Sequence, residues 1–134
     1  MLPEFDDRGV LPPGLHSCSF SELVARFGRG SAEREVECKE LGEFLDWCRA
    51  AGVQRVIVNG SFVTSKTVPI DVDIIILPSP DYPSDQKRLA DSEFRWPFLH
   101  ILVAGGEDDF VSVVETLFAR HRREGEKGLI EVQL

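Results

Sequence analysis

Between Val56 and Leu77 the chain reads as two strands that must lie side by side. Val56-Ile57-Val58 is an apolar run that stops at Asn59-Gly60-Ser61. A short polar link with Lys66 and Pro69 follows, and Asp71-Val72-Asp73 opens a second apolar run, Ile74 to Leu77. A link this short returns the chain to an adjacent strand, so Asp71 is expected near Gly60. On the second strand, alternation sends Val72, Ile74 and Ile76 to one face and Asp71, Asp73, Ile75 and Leu77 to the other. The first face is wholly apolar and belongs to the core. The second is acidic at its entrance.

The remaining elements follow from periodicity and punctuation. Residues 1–18 read as an extended N-terminal arm ending in Leu11-Pro12-Pro13-Gly14, and residues 19–134 as a single domain. Ser19 with Glu22 forms a capping-box pattern that opens a helix to about Phe27. Ser31 caps a second helix to about Ala51, with Leu41, Phe44, Leu45 and Cys48 at helical spacing and Gly52 as its stop. Strands are expected over Gln54–Asn59, Asp71–Leu77, Trp96–Ala104 and Leu129–Leu134, with a helical turn over Phe62–Lys66. Ser84–Phe94 reads as a polar connection, and Asp108–Arg123 as a helix with the stripe Phe110, Val113, Val114, Leu117 and Phe118. The pattern predicts an α+β (α/β) fold, a small mixed β-sheet with helices packed on one face.

Composition narrows the partners. The formal charge is −8, with 43% hydrophobic and 28% charged residues. The basic cluster Arg120, Arg122, Arg123 and Lys127 suits the negative end of the last helix. No extended nucleic-acid-binding surface is expected. No apolar run is long enough for a membrane span, and the acidic start does not read as a signal peptide. Cys18, Cys38 and Cys48 show no CxxC spacing, which points to reduced thiols and a cytoplasmic setting.

The chemistry sits in the central segment. Two carboxylates about 7 Å apart at a strand entrance repel each other unless a cation lies between them. Mg²⁺ suits, because it takes one or two carboxylates together with substrate phosphates. Gly60 lets the backbone approach a phosphate closely, and the Ser61 N–H and hydroxyl can donate to it. An ordinary turn and solvated strand-entry residues are the plainer readings of the same two motifs. Lys66 either meets a phosphate oxygen or is solvated. Trp47 and Trp96 read as core or rim aromatics.

Gly60-Ser61, a gap, then Asp71-Val72-Asp73 resembles the signature of the DNA polymerase β-like nucleotidyltransferase superfamily. Leu11-Pro12-Pro13-Gly14, Gly60-Ser61-Phe62-Val63-Thr64, Lys66, Pro69, Asp71-Val72-Asp73 and Lys127-Gly128-Leu129-Ile130 look like a small bacterial family within it. The resemblance implies a nucleotidyltransferase-like fold and a two-metal mechanism. In it Asp71 and Asp73 hold Mg²⁺ about 3.5–4 Å from a second ion. Gly60 and Ser61 would hold the β- and γ-phosphates of an NTP. The ions would align an acceptor hydroxyl on RNA, protein or a small molecule for attack on the α-phosphate.

One position departs from that superfamily. A third carboxylate on a later strand usually completes the metal site. The strand Phe98-Leu99-His100-Ile101-Leu102 offers only His100 as a polar residue, and Glu131 on the last strand is the other candidate. His100 can act as a base near neutral pH, but hard cations prefer oxygen. The implied function is therefore metal-dependent nucleotide transfer. The alternative is a catalytically weak nucleotide- or partner-binding regulatory module, including one from a toxin–antitoxin or defence system. So small a chain would complete its acceptor surface with loops, a homo-oligomer partner or a second protein.

Overall fold

The computed structural model describes residues 2–80, 95–124 and 127–134, with 118–124 described by backbone alone. Its elements run β1 (Gly14–Cys18), α1 (Phe20–Phe27), α2 (Ala32–Ala51), β2 (Val53–Asn59), β3 (Val72–Pro78), β4 (Leu99–Val103), α3 (Glu107–Glu124) and β5 (Gly128–Val132), with a 3₁₀ turn at Ser61–Val63. The strands form one open five-stranded sheet in the order β1-β5-β2-β3-β4. β1/β5 and β3/β4 are parallel, and β5/β2 and β2/β3 are antiparallel. The expected connection Ser84–Phe94 and the side chains of Phe118, Arg120, Arg122 and Arg123 lie outside the described residues.

The helices begin and end where their caps dictate. The Ser19 hydroxyl accepts the Glu22 N–H and the Ser31 hydroxyl accepts the Arg34 N–H, each satisfying a donor that the first turn leaves unpaired. Gly52 ends α2 at φ +82°, a conformation that favours glycine, and its N–H returns to the Cys48 carbonyl.

The helices cover both faces of the sheet, not one. α1 and α2 pack on the face of Val56, Val58, Ile74, Ile76, Ile130 and Val132. α3 lays Phe110 and Val114 on the opposite face, over Ile57, Ile75, Leu77 and Leu129. The reason lies in β2 and β3, which are apolar on both faces and need cover on both. The N-terminal arm also joins the fold. Gly14–Cys18 pairs with β5 as an edge strand, and Leu2 and Leu11 are buried in the α1/α2 core. β4 starts at Leu99, later than expected, because Pro97 has no N–H for a ladder. Trp96 is buried, donates Nε1–H to the Glu43 carboxylate at 3.2 Å and meets Phe44 edge-on, as a core aromatic does. All three cysteines are free and buried, and burial raises each thiol, Cys48 to about 12. Among the described residues no helix is long and apolar enough to cross a membrane.

A buried arginine on α2 holds the segment after β2. Arg34 is only 5% exposed. Its guanidinium donates to the carbonyls of Phe27, Phe62, Thr64 and Lys66 at 2.6–3.1 Å. One turn on, Glu37 is 1% exposed and neither of its carboxylate oxygens has a hydrogen-bond partner among the described residues. Burial pushes the Glu37 carboxyl up from 4.5 to about 7; Arg34 opposes this, and the charges of Asp71, Glu33 and Glu40 add to it.

A carboxyl raised in the folded state favours folding most when protonated. The Glu37 contribution is greatest below its unfolded value near 4.5 and is lost as pH rises through about 7. Glu37→Gln should therefore unfold at higher urea than the native chain at pH 8. The advantage should shrink by on the order of 3 kcal/mol by pH 4.5. Urea titrations of both chains at the two pH values measure it, and a difference that ignores pH would remove Glu37 as the source.

Candidate active site at the junction of β2, β3 and β4

β2 ends at Asn59, which pairs with Asp73 of β3, and Asp73 in turn pairs with His100 of β4. Three adjacent strands thus bring an amide, a carboxylate and an imidazole into one row. His100 Nδ1 lies 3.2 Å from Asp73 Oδ1, with both side chains open to solvent. Asp73 and His100 share a cleft with Asn59, Leu102 and the α3 residues Val113 and Leu117. Asp71 stands one residue before β3 and lines a second recess with Pro97 and His100. His100 therefore meets Asp73 directly and shares a recess with Asp71. Asp71 is also near enough to α2 to help raise the Glu37 carboxyl.

Gly60 takes φ +85° and ψ −166°, a region used almost only by glycine. A Cβ at Gly60 would run into the Asp73 carboxylate. The turn is thus in direct contact with the second aspartate, Asp73, where the length of the link led to the expectation of Asp71. Ser61 opens the 3₁₀ turn, and its carbonyl accepts the Thr64 hydroxyl at 2.6 Å. Lys66 is exposed, and its carbonyl is held by Arg34.

Glu131 is not brought to this row. It pairs with Ile57 on the far side of β2, two strands from Asp73. Arg55 holds both of its oxygens at 2.7 Å while stacking over Phe110. That bidentate pairing gives Glu131 a structural partner. Among the described residues no cluster of three or more His, Cys, Asp or Glu side chains is disposed to hold a metal ion. Asp71 and Asp73 are oxygen donors of the type a hard divalent cation takes together with phosphates and water, and Gly60 leaves an open approach beside Asp73. The nitrogen of His100 does not extend that set to a second hard ion.

Arg34 and Glu37 escaped the sequence reading, although both fall on the buried stripe of α2 that continues through Leu41, Phe44 and Cys48. A charge at core spacing was the available signal.

Gly60→Ala should destabilise the fold by about 1–3 kcal/mol, since it adds a Cβ where the backbone excludes one. Part of the loss should return in Gly60→Ala/Asp73→Ala, which removes the carboxylate that the Cβ meets. Denaturant titration of the single and double variants reads both effects, and no recovery in the double variant would assign the whole loss to the backbone.

No curated protein and no solved structure matches the chain. The model of one family, described as a family of unknown function, matches residues 3–133, and the chain belongs to that family, DUF6932.

Proposed function

We propose that this chain is a metal-dependent nucleotidyltransferase that moves a nucleotide from an NTP to a hydroxyl acceptor. The observation that carries this reading is the contact between the Gly60 turn and the Asp73 carboxylate. It puts backbone N–H groups suited to phosphate beside a carboxylate suited to the cation that accompanies a triphosphate. Asp71 and Asp73 would hold Mg²⁺, which when bound neutralises charge on the phosphates. Gly60 and Ser61 would orient the β- and γ-phosphates. The acceptor oxygen forms a bond to the α-phosphorus as the bond to pyrophosphate breaks. His100, at 3.2 Å from Asp73 and lining a recess with Asp71, would take the acceptor proton.

One observation favours a second reading. The strand partner of Asp73 on β4 is an imidazole and not a carboxylate. With a single hard-ion set, the domain would bind a nucleotide and report it to a partner without efficient transfer.

Calorimetric titration of each NTP with Mg²⁺ into the native chain and into Asp71→Asn/Asp73→Asn tests the nucleotide site. Mg²⁺-dependent binding that weakens at least about tenfold in the variant is expected, as two charge-assisted ligands are lost. Absence of binding to every NTP by the native chain would falsify both readings. Incubation with α-labelled NTP and candidate acceptors then separates them. Label transfer that falls in His100→Ala, with NTP affinity kept, supports the enzyme. Binding with no transfer to RNA, protein or small hydroxyl acceptors supports the module.

A further inference from the structure

A second cleft lies at the other end of the segment that follows Gly60. It has a volume of about 300 Å³ and is lined by Arg26, Arg29 and Arg34 together with Thr64, Ser65 and Thr67. Among the described residues no carboxylate lines it, although the chain carries 23 acidic and 15 basic residues. The acidic pair Asp71 and Asp73 and the turn Gly60-Ser61 are not part of this lining.

The three guanidinium groups differ in what they offer. Arg34 spends its N–H groups on backbone carbonyls, so it supplies fixed charge and no free donor. Carbonyl oxygens do not cancel that charge, and the nearby Glu37 carboxyl is raised by burial to about 7. Arg26 lies over the Phe5 ring at 4.4 Å, a stacking contact that leaves the edge of its fork unused. Among the described residues, neither the Arg26 nor the Arg29 guanidinium makes a hydrogen bond or ion pair. The Ser65 and Thr67 hydroxyls are likewise without partners there. Two open forks, two hydroxyl donors and a buried cation face one small cavity.

We propose that this cleft binds a phosphate-bearing anion, as a site separate from the Asp71–Asp73 pair. Guanidinium forks match phosphate oxygens bidentately, and the hydroxyls serve the oxygens that the forks leave. The cavity is at the low end for small-molecule sites, which suits a phosphate or diphosphate group with little else enclosed. The charge sign also fits: no metal is needed where the lining is already cationic.

Titration with inorganic pyrophosphate in EDTA at low ionic strength tests the site. The native chain and Asp71→Asn/Asp73→Asn should bind it alike, and Arg26→Gln/Arg29→Gln at least about tenfold more weakly. Arg34 is left in place because it holds the fold. No binding by the native chain, or equal binding by the arginine variant, overturns the proposal. The arginine Nε–H resonances of the native chain give a readout that needs no variant. Two side-chain resonances should shift on adding pyrophosphate, and unmoved resonances count against the cleft. Citrate binding as tightly as pyrophosphate would overturn the phosphate assignment. ADP binding more tightly than pyrophosphate supports a nucleotide as the source of the phosphate, and the reverse order supports a free polyphosphate. The experiment omits metal and retains binding in the aspartate variant, so its failure leaves the NTP·Mg²⁺ reading to be judged separately.

Discussion

Arg34 is a buried cation whose donors are taken by carbonyls of segments that no strand ladder would satisfy. Phe62, Thr64 and Lys66 belong to the irregular stretch between β2 and β3, and Phe27 ends α1. Buried carbonyls need partners, and those that the loop does not pair internally must borrow them. A planar fork with five N–H groups meets several at once, which a lysine cannot do. The position of the Gly60 turn, and hence its contact with Asp73, depends on this clamp. Glu37, one turn along the same helix, shows the electrostatic consequence. Arg34 favours its ionised form, yet burial and the charge of Asp71 outweigh that, and the carboxyl rises.

Much of the architecture was legible because local signals agreed. Serine caps, Gly52 and the spacing of Leu41, Phe44, Leu45 and Cys48 defined α1 and α2 closely. The Gly-Ser stop and the Asp-Val-Asp start defined β2 and β3 to within a residue. The first strand was missed because Gly14–Cys18 lacks an apolar alternation and follows two prolines. Its partner β5 lies at the other end of the chain, and only tertiary pairing makes it a strand. The second covered face was missed for a different reason. Ile75 and Leu77 read as the continuation of an acidic face, whereas Ile57, Ile75 and Leu129 together form an apolar floor for α3. Strands apolar on both faces carried that information.

The candidate site divides along the same line. The short link led to the expectation of Asp71 near Gly60, whereas the carboxylate that the Gly60 turn meets is that of Asp73, the next residue on the same face of β3. His100 and Glu131 were indistinguishable without strand order. Each sits on a later strand with alternating polarity. Parallel pairing of β4 with β3 puts His100 opposite Asp73, and antiparallel pairing of β5 with β2 puts Glu131 opposite Ile57. Arg55, at the neighbouring position of β2 on that face, then captures the glutamate. A carboxylate with a bidentate guanidinium partner is stabilised as a structural ion, so moving it into a metal site would leave a partly buried cation unpaired.

The segment 60–67 thus separates surfaces of opposite sign. At one end Gly60 touches the Asp73 carboxylate, and at the other Thr64, Ser65 and Thr67 face three arginines. Uniform negative charge over the chain would repel every phosphate ligand from both ends. On the readings proposed for them, the acidic end would admit a phosphate only with a cation, and the arginine-lined end would admit one without. The two ends would then select different forms of the same chemistry, metal-chelated in one case and free in the other. Because Arg34 fixes the segment between them, neither proposed selectivity would require the loop to reorganise.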